Sequence, residues 1–129
     1  MKLSDYVAQK VADLGINHVF MVTGGGAMHL NHSLGINDNL ECIFNHHEQA
    51  CAMAAESYYR LTNKLALVNV TSGPGGTNTI TGVYGAFVDS IGMIVVSGQV
   101  KYETTVRSTG LPLRQYGDQE LDIEQLVRP

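Results

Sequence analysis

The stretch NHHEQACAMAAESYYR, residues 45–60, decides how this chain folds. It opens with polar residues, which are followed by small residues. Such residues favour a helix and allow another backbone to approach closely. One strand-like run, 41–44, precedes the stretch, and another, 65–70, follows it. This strand–helix–strand order predicts that Glu48 lies in the first helical turn, just beyond the carboxyl end of a strand. In open α/β sheets, ligands bind at that edge.

Glu48 also has a purely structural explanation. Asn45 is a good helix cap, and a glutamate three residues later completes a capping box. A negative side chain also suits the positive end of the helix dipole. From this stretch alone, the structural and the catalytic explanations of Glu48 both remain open.

Helices and strands alternate along the rest of the chain, separated by short glycine-containing turns. We predict a first helix capped by Ser4, and close packing rather than breaks at Gly82 and Gly85 in a later helix. The predicted helices are 3–14, 27–34, the one that contains Glu48, 77–89 and 118–127; the predicted strands are 18–23, 41–45, 65–71 and 92–98. Residues 99–117 are polar and irregular, which is typical of a segment with a functional or assembly role. The alternation predicts an α/β fold, a parallel sheet with helices on both faces, in one domain over residues 1–129.

Composition and charge exclude several kinds of partner. The net charge is −4 and the chain has no basic cluster, so we expect no nucleic-acid partner and no anionic membrane surface. No apolar run approaches the roughly 20 residues of a membrane span. Residues 1–15 are amphipathic and lack the apolar core and cleavage site of a signal peptide. These features together predict a cytoplasmic protein.

The cysteines and histidines do not form a recognisable metal or disulfide pattern. Cys42 and Cys51 have no C-x-x-C spacing, and we expect reduced thiols, with Cys51 in the core. His29 and His32 are three residues apart, but no acidic or thiol partner is close in sequence. We therefore predict no metal site formed by this chain.

The glycine clusters suggest a ligand site, although not a dinucleotide fingerprint. Gly24 and Gly26 follow a strand and open a helix, but His29 occupies the third glycine position of G-x-G-x-x-G. Asn45 stands where an acidic residue would hold a ribose, so nucleotide binding is disfavoured. Glycines do permit close approach of a ligand to the backbone. The turns at 24–27, 45–48 and 71–78 should crowd one edge of the sheet and surround a flat, polar ring.

Two long stretches carry a specific resemblance. They are HEQACAMAAESYYR, residues 47–60, and LALVNVTSGPGGTNTITGVYGAFVDSIGMIVVSGQV, residues 65–100. With the turn GGGA at 24–27 and the end segment RQYGDQELDIEQLVRP at 114–129, they resemble the pyrimidine-binding domain of thiamine-diphosphate-dependent enzymes of the acetolactate synthase type. The resemblance covers practically the whole chain, in order.

The resemblance implies a role for each matching position. Glu48 would be the catalytic carboxylate that bonds to a ring nitrogen of the cofactor's aminopyrimidine, and His47 would support it. Gln119 aligns with a glutamine that faces substrate, although it also fits a polar helix start. The remaining positions match turns that line the pyrimidine ring, although turn and cap chemistry also explains them: Gly25, Thr71, Pro74 and Asn78.

The resemblance also implies what surrounds this chain in a working enzyme. The diphosphate and its Mg²⁺ bind to a separate domain that nothing in this sequence matches, and the middle domain that holds FAD in some members is missing too. We therefore expect one domain of a larger homo-oligomeric enzyme, inactive alone, that acts on 2-oxo acids. Acetolactate synthase-like carboligation (a transferase) is the first expectation and decarboxylation (a lyase) the second. The alternatives are a non-catalytic binding or assembly module with the same fold, or a subunit of a split 2-oxo acid decarboxylase.

Overall fold

A four-stranded parallel sheet forms the centre of the molecule, which a computed structural model describes over residues 1–128. The order of the strands is β2-β1-β3-β4. Their bounds are β1 His18–Met21, β2 Glu41–Phe44, β3 Leu67–Val70 and β4 Ile94–Ser97. Val19 of β1 lies opposite Cys42 of β2 and Leu67 of β3, and every pair of neighbouring strands is parallel. The predicted α/β fold with a parallel sheet is confirmed.

Four longer helices connect and cover the strands. They are α1 Leu3–Asp13, α2 Met28–Gly35, α3 Glu48–Thr62 and α4 Pro74–Val88. Two short helices follow β4, namely α5 Val106–Thr109 and α6 Ile123–Leu126, and 3₁₀ turns occupy Gly25–Ala27 and Tyr102–Thr104. The helix α4 begins three residues before its predicted start, because a proline is well suited to the first helical position.

The helices cover both faces of the sheet, as predicted. Successive residues of a strand point to opposite faces. Accordingly, α1 and α2 pack against one face and α3 packs against the other. The first core cluster contains Ala8, Val11, Leu34, Val19, Met21 and Leu67. The second contains Cys51, Ala55, Phe20, Val68 and Val70.

The helix α4 packs closely against α3 at Gly82. A Cβ at Gly82 would lie 2.6 Å from the Cβ of Ala52, so only glycine allows the two helices to approach this closely. The prediction of close packing is therefore confirmed at Gly82. It is wrong at Gly85, where a Cβ would meet only Oε2 of Glu56 at 3.7 Å, an ordinary contact.

Two predictions about helix ends are wrong. Lys2, not Ser4, is the N-cap of α1, because the carboxylate of Asp5 accepts a hydrogen bond from the Lys2 backbone N–H at 3.2 Å. The predicted helix at 118–127 shortens to α6, because Gln119 has a φ of 51°, a left-handed conformation that interrupts a helix. No helix within residues 1–128 has the length and apolar character needed to cross a membrane.

Candidate active site

The turns that follow β1 and β3 touch at the carboxyl edge of the sheet. The backbone N–H of Gly26 donates a hydrogen bond to Oγ1 of Thr71 at 3.1 Å. A Cβ at Gly24 would lie 2.5 Å from the Cβ of Thr71, so the two turns could not meet with a larger residue there. The predicted crowding of these turns is present in the structure.

Glu48 lies at this edge as the first residue of α3, and its side chain is half-buried. Its Oε2 accepts a hydrogen bond from Nδ2 of Asn78 in α4 at 2.9 Å. Its Oε1 lies 3.8 Å from the position that a Cβ would take at Gly75. Within residues 1–128, Asn78 is the one hydrogen-bond partner of this carboxylate, so Oε1 can accept a hydrogen bond from a ligand.

The structural explanation of Glu48 as part of a capping box with Asn45 is wrong. The N-cap of α3 is His47, whose Nδ1 accepts a hydrogen bond from the backbone N–H of Gln49 at 3.1 Å. The backbone N–H of Asn45 instead donates to the carbonyl of Met21 at 3.1 Å, which prolongs the pairing of β2 with β1. The exposed His47 ring thus caps the helix beside Glu48, and no hydrogen bond joins the two side chains.

The other predicted cofactor residues lie around the same turns. Thr71 is half-buried, and its hydroxyl is engaged by Gly26 as described. Pro74 is exposed at the first position of α4. Gly25 is exposed in the 3₁₀ turn, and nothing lies within 4 Å of the position that its Cβ would take. The structure therefore brings Glu48 and Asn78 into direct contact and leaves Gly25 and Pro74 open to a ligand.

Gln119 reaches the site through its backbone. A Cβ at Gly73 would collide with the carbonyl oxygen of Gln119, and Gly73 has a φ of +55°. Both features require glycine at this position. The C-terminal segment therefore lies directly against the turn that follows β3, and the side chain of Gln119 is exposed there.

A chain of amide side chains supports the first glycine turn and is not evident from sequence reasoning. Asn69 is fully buried in β3 and donates from Nδ2 to Oδ1 of Asn31 at 2.8 Å. Asn31 in turn donates from Nδ2 to the carbonyl of Gly24 at 3.3 Å. The only sequence signal is a lone asparagine inside the apolar run LALVNV.

A second overlooked residue, Glu120, organises the segment after β4. Its carboxylate accepts backbone hydrogen bonds from Val106 at 2.8 Å, Tyr116 at 2.8 Å and Gly117 at 3.3 Å. Hydrogen bonds to a charged acceptor are stronger than neutral ones. One side chain thus fixes the path of a segment that has little regular structure.

Cys51 follows Glu48 by one helical turn, but neither cysteine is an activated thiol. Burial raises the pKa of the Cys51 thiol, which is fully buried in the core as predicted, and burial also raises the pKa of Cys42. Over residues 1–128, no three His, Cys, Asp or Glu side chains are grouped so that they could hold a metal ion. His29 and His32 are exposed on α2.

Comparison with known proteins shows which family and which relatives the chain is similar to. The family model for the thiamine pyrophosphate enzyme, N-terminal TPP binding domain, matches residues 1–126. The acetolactate synthase large subunit of Buchnera aphidicola is 43% identical over 97 residues, which are 75% of this chain and 17% of that protein. The corresponding subunit of Haemophilus influenzae is 40% identical over 97 residues, with the same coverage. The isozyme 2 large subunit of Escherichia coli is 39% identical over 100 residues, 78% of this chain and 18% of that protein. The match therefore spans less than a fifth of the length of these relatives.

Proposed function

Because this chain belongs to the thiamine pyrophosphate enzymes as their N-terminal TPP binding domain, we propose that Glu48 is the carboxylate that bonds to the pyrimidine ring of the cofactor. The observation that carries this proposal is the position of its carboxylate. One oxygen is fixed by Asn78 at 2.9 Å, and the other faces Gly75 at the edge of the sheet. A carboxylate held in this way is oriented before a ligand arrives, which favours catalysis.

The residues at this edge fit thiamine diphosphate. Because Gly75 has no side chain, a ligand can come close to Oε1 of Glu48. The open space beside Gly25 leaves room for a flat ring. Thiamine diphosphate supplies a thiazolium carbon that, once deprotonated, adds to the carbonyl of a 2-oxo acid. Glu48 holds a proton at a ring nitrogen, while Asn78 orients Glu48. Thr71 and Pro74 shape the turn against which the ring would lie.

The activity that we propose for the complete enzyme is an acetolactate synthase-like reaction on 2-oxo acids. It begins with decarboxylation, a lyase step, and continues to carboligation, a transferase step. The support is the identity of 39–43% to the acetolactate synthase subunits. This identity favours the enzyme over a non-catalytic module of the same fold and over a subunit of a split 2-oxo acid decarboxylase.

The matched domain is a small part of its relatives, so we propose that other domains complete the cofactor site. In the Buchnera relative, the aligned region is 17% of the protein. A diphosphate-binding domain outside this chain would hold the diphosphate and Mg²⁺, and the chain alone would be inactive. FAD, if the complete enzyme uses it, would bind outside this chain as well. We place the enzyme in the cytoplasm.

An exposed apolar surface on α3 and α4 supports our proposal of a homo-oligomer. Exposed fractions are 44% for Met53, 65% for Tyr84 and 76% for Phe87. Exposed apolar patches of this kind mark interaction surfaces, and a two-fold contact is the commonest arrangement of identical chains. Light scattering at micromolar concentration tests this: Phe87→Glu should lower the mass of an oligomer, whereas a wild-type chain that is monomeric at every concentration contradicts it.

The substitution Glu48→Gln in the complete enzyme tests the proposed function. The amide keeps the shape of the side chain but cannot hold the ring nitrogen protonated. We expect exchange of the thiazolium C2 proton with deuterium, followed by NMR after acid quench, to slow by about 10²–10³. The control Glu56→Gln, on the same helix, should leave the rate unchanged. A normal exchange rate in Glu48→Gln would show that the assigned role is wrong.

A further inference from the structure

A cleft of about 1010 Å³ lies between the carboxyl end of β4 and the C-terminal segment. It adjoins the candidate active site. Ser97, which lines the cleft, donates a hydrogen bond from Oγ to the carbonyl of Thr71 at 3.2 Å. Gly98 packs against Gly26 so closely that a Cβ would collide with the Gly26 carbonyl. Through Ser97 and Gly98, the cleft therefore borders the turns that follow β1 and β3.

Two of the three acidic side chains of the cleft, Glu120 and Asp122, are firmly engaged. Glu120 accepts the three backbone hydrogen bonds described above. Asp122 caps α6 and accepts hydrogen bonds from the backbone N–H and from Nε2 of Gln125, at 3.3 and 2.8 Å. Glu124 faces Arg107, with 3.9 Å between the nearest oxygen and nitrogen. The negative charges of Glu120 and Asp122 are thus largely satisfied within the protein.

The positive side chains are less engaged. Arg114 lines the cleft, is exposed, and forms no ion pair with any of residues 1–128. Arg107 and Glu124 are each 70% exposed, so their long contact is weak, and Arg107 can readily exchange it for a contact with another anion. The cleft therefore offers three guanidinium groups, those of Arg107, Arg114 and Arg128, in a chain whose net charge is −4.

We propose that this cleft binds an organic anion whose negatively charged group lies remote from the reacting carbon, with Arg114 and Arg107 as the principal contacts. The identification of this anion as a substrate rests on the proposed function at Glu48; the binding itself does not. A guanidinium group binds a carboxylate or a phosphate through two parallel hydrogen bonds. Pockets of about 300–1,000 Å³ bind drug-sized ligands, so the cleft has room for an acid much larger than a three-carbon 2-oxo acid.

The test is a titration of the 129-residue chain with inorganic phosphate and, separately, with glutarate, followed by ¹H–¹⁵N NMR at ionic strength matched with NaCl. We expect saturating shifts of the amides that line the cleft. Arg114→Ala should weaken the binding about tenfold or more. The matched control Lys64→Ala also removes one exposed positive charge, but far from the cleft in sequence, and should leave the affinity unchanged. The anion that binds more tightly identifies the remote group as a phosphate or a carboxylate.

The opposite result is equally clear. Shifts that do not saturate, or an equal loss of affinity in Arg114→Ala and Lys64→Ala, would overturn the proposal. Arg107→Gln provides a second variant if Arg114→Ala loses its dispersed spectrum. Glu48→Gln should bind the anions normally while it slows thiazolium exchange, so failure of the cleft proposal and failure of the Glu48 proposal give different results.

Discussion

The edge around Glu48 and the segment 99–128 face the same end of the sheet, but different interactions hold them in place. The edge is continuous with the core: Ala52 of α3 and Val70 of β3 are completely buried, and glycines bring the turns into contact. Most of residues 99–128 are exposed or half-buried, and the carboxylate of Glu120 fixes much of their path. The comparison indicates that the proposed reaction depends on the core, whereas the C-terminal segment can vary without disturbing it.

Among substitutions of the residues around Glu48, Asn78→Asp should have the largest effect. It would place a second carboxylate where the Asn78 amide now donates to Glu48 at 2.9 Å, and the repulsion would displace Glu48. A hydrogen bond to a charged group contributes about 1.5–3 kcal/mol, so we expect thiazolium exchange in the complete enzyme to fall about tenfold to a hundredfold. The control is Thr81→Ala, an exposed position on the same helix. Wild-type exchange in Asn78→Asp would contradict the pairing of Asn78 with Glu48.

Gly82→Ala tests how far the edge depends on the packing of α3 against α4. The new methyl group would meet Ala52 at 2.6 Å, and we expect the free energy of unfolding in urea to fall by about 1–3 kcal/mol. Gly85→Ala is the matched control, because it makes the same change on the same helix, where the new Cβ would form only an ordinary contact with Glu56. It should raise the free energy of unfolding by up to about 1 kcal/mol. Equal effects of the two substitutions would argue against close packing.

Glu120→Gln should loosen the C-terminal segment and leave the edge intact. The amide loses the charge that strengthens the hydrogen bonds from Val106, Tyr116 and Gly117. We expect hydrogen exchange of these three amides to accelerate up to about tenfold, while the amides of β3 exchange as before. Glu103→Gln, in the same segment, is the control. If β3 exchanges faster as well, the two regions are not independent.

The smallest predicted effect is a difference between the alkylation rates of the two thiols. Burial raises the pKa of both Cys42 and Cys51, which lowers the thiolate fraction at a given pH, but only Cys51 is completely buried. In the single-thiol variants Cys42→Ser and Cys51→Ser, iodoacetamide at pH 8 should label Cys51 several-fold more slowly than Cys42. Equal labelling rates would show that the core around α3 opens more readily than its burial indicates.

The sequence predicts the edge well because local signals determine it. Apolar runs mark the strands, glycines mark the turns, and parallel strands place those turns at one edge, so the position of Glu48 follows without any knowledge of side-chain packing. The helix cap is different. Asn45 is the cap that the local pattern favours, but its backbone N–H pairs with Met21 in the neighbouring strand, and His47 caps the helix instead.

The sequence predicts the C-terminal segment poorly because its key contacts are not local. Val106 and Glu120 are 14 residues apart, with no periodic pattern between them that would indicate a contact. The left-handed Gln119, which delays the start of the predicted helix, is packed against Gly73, more than 40 residues away in sequence. Such features emerge only once the sheet has brought distant turns together.

The most direct test of the role of Glu48 is the ¹⁵N chemical shift of the pyrimidine ring nitrogens in the complete enzyme loaded with ¹⁵N-labelled thiamine diphosphate. We predict that one ring nitrogen has the shift of a hydrogen-bonded, protonated nitrogen in the wild-type enzyme. In Glu48→Gln this nitrogen should return to the shift of the unprotonated ring, although the cofactor remains bound. An identical shift in the two enzymes would contradict the assignment of Glu48.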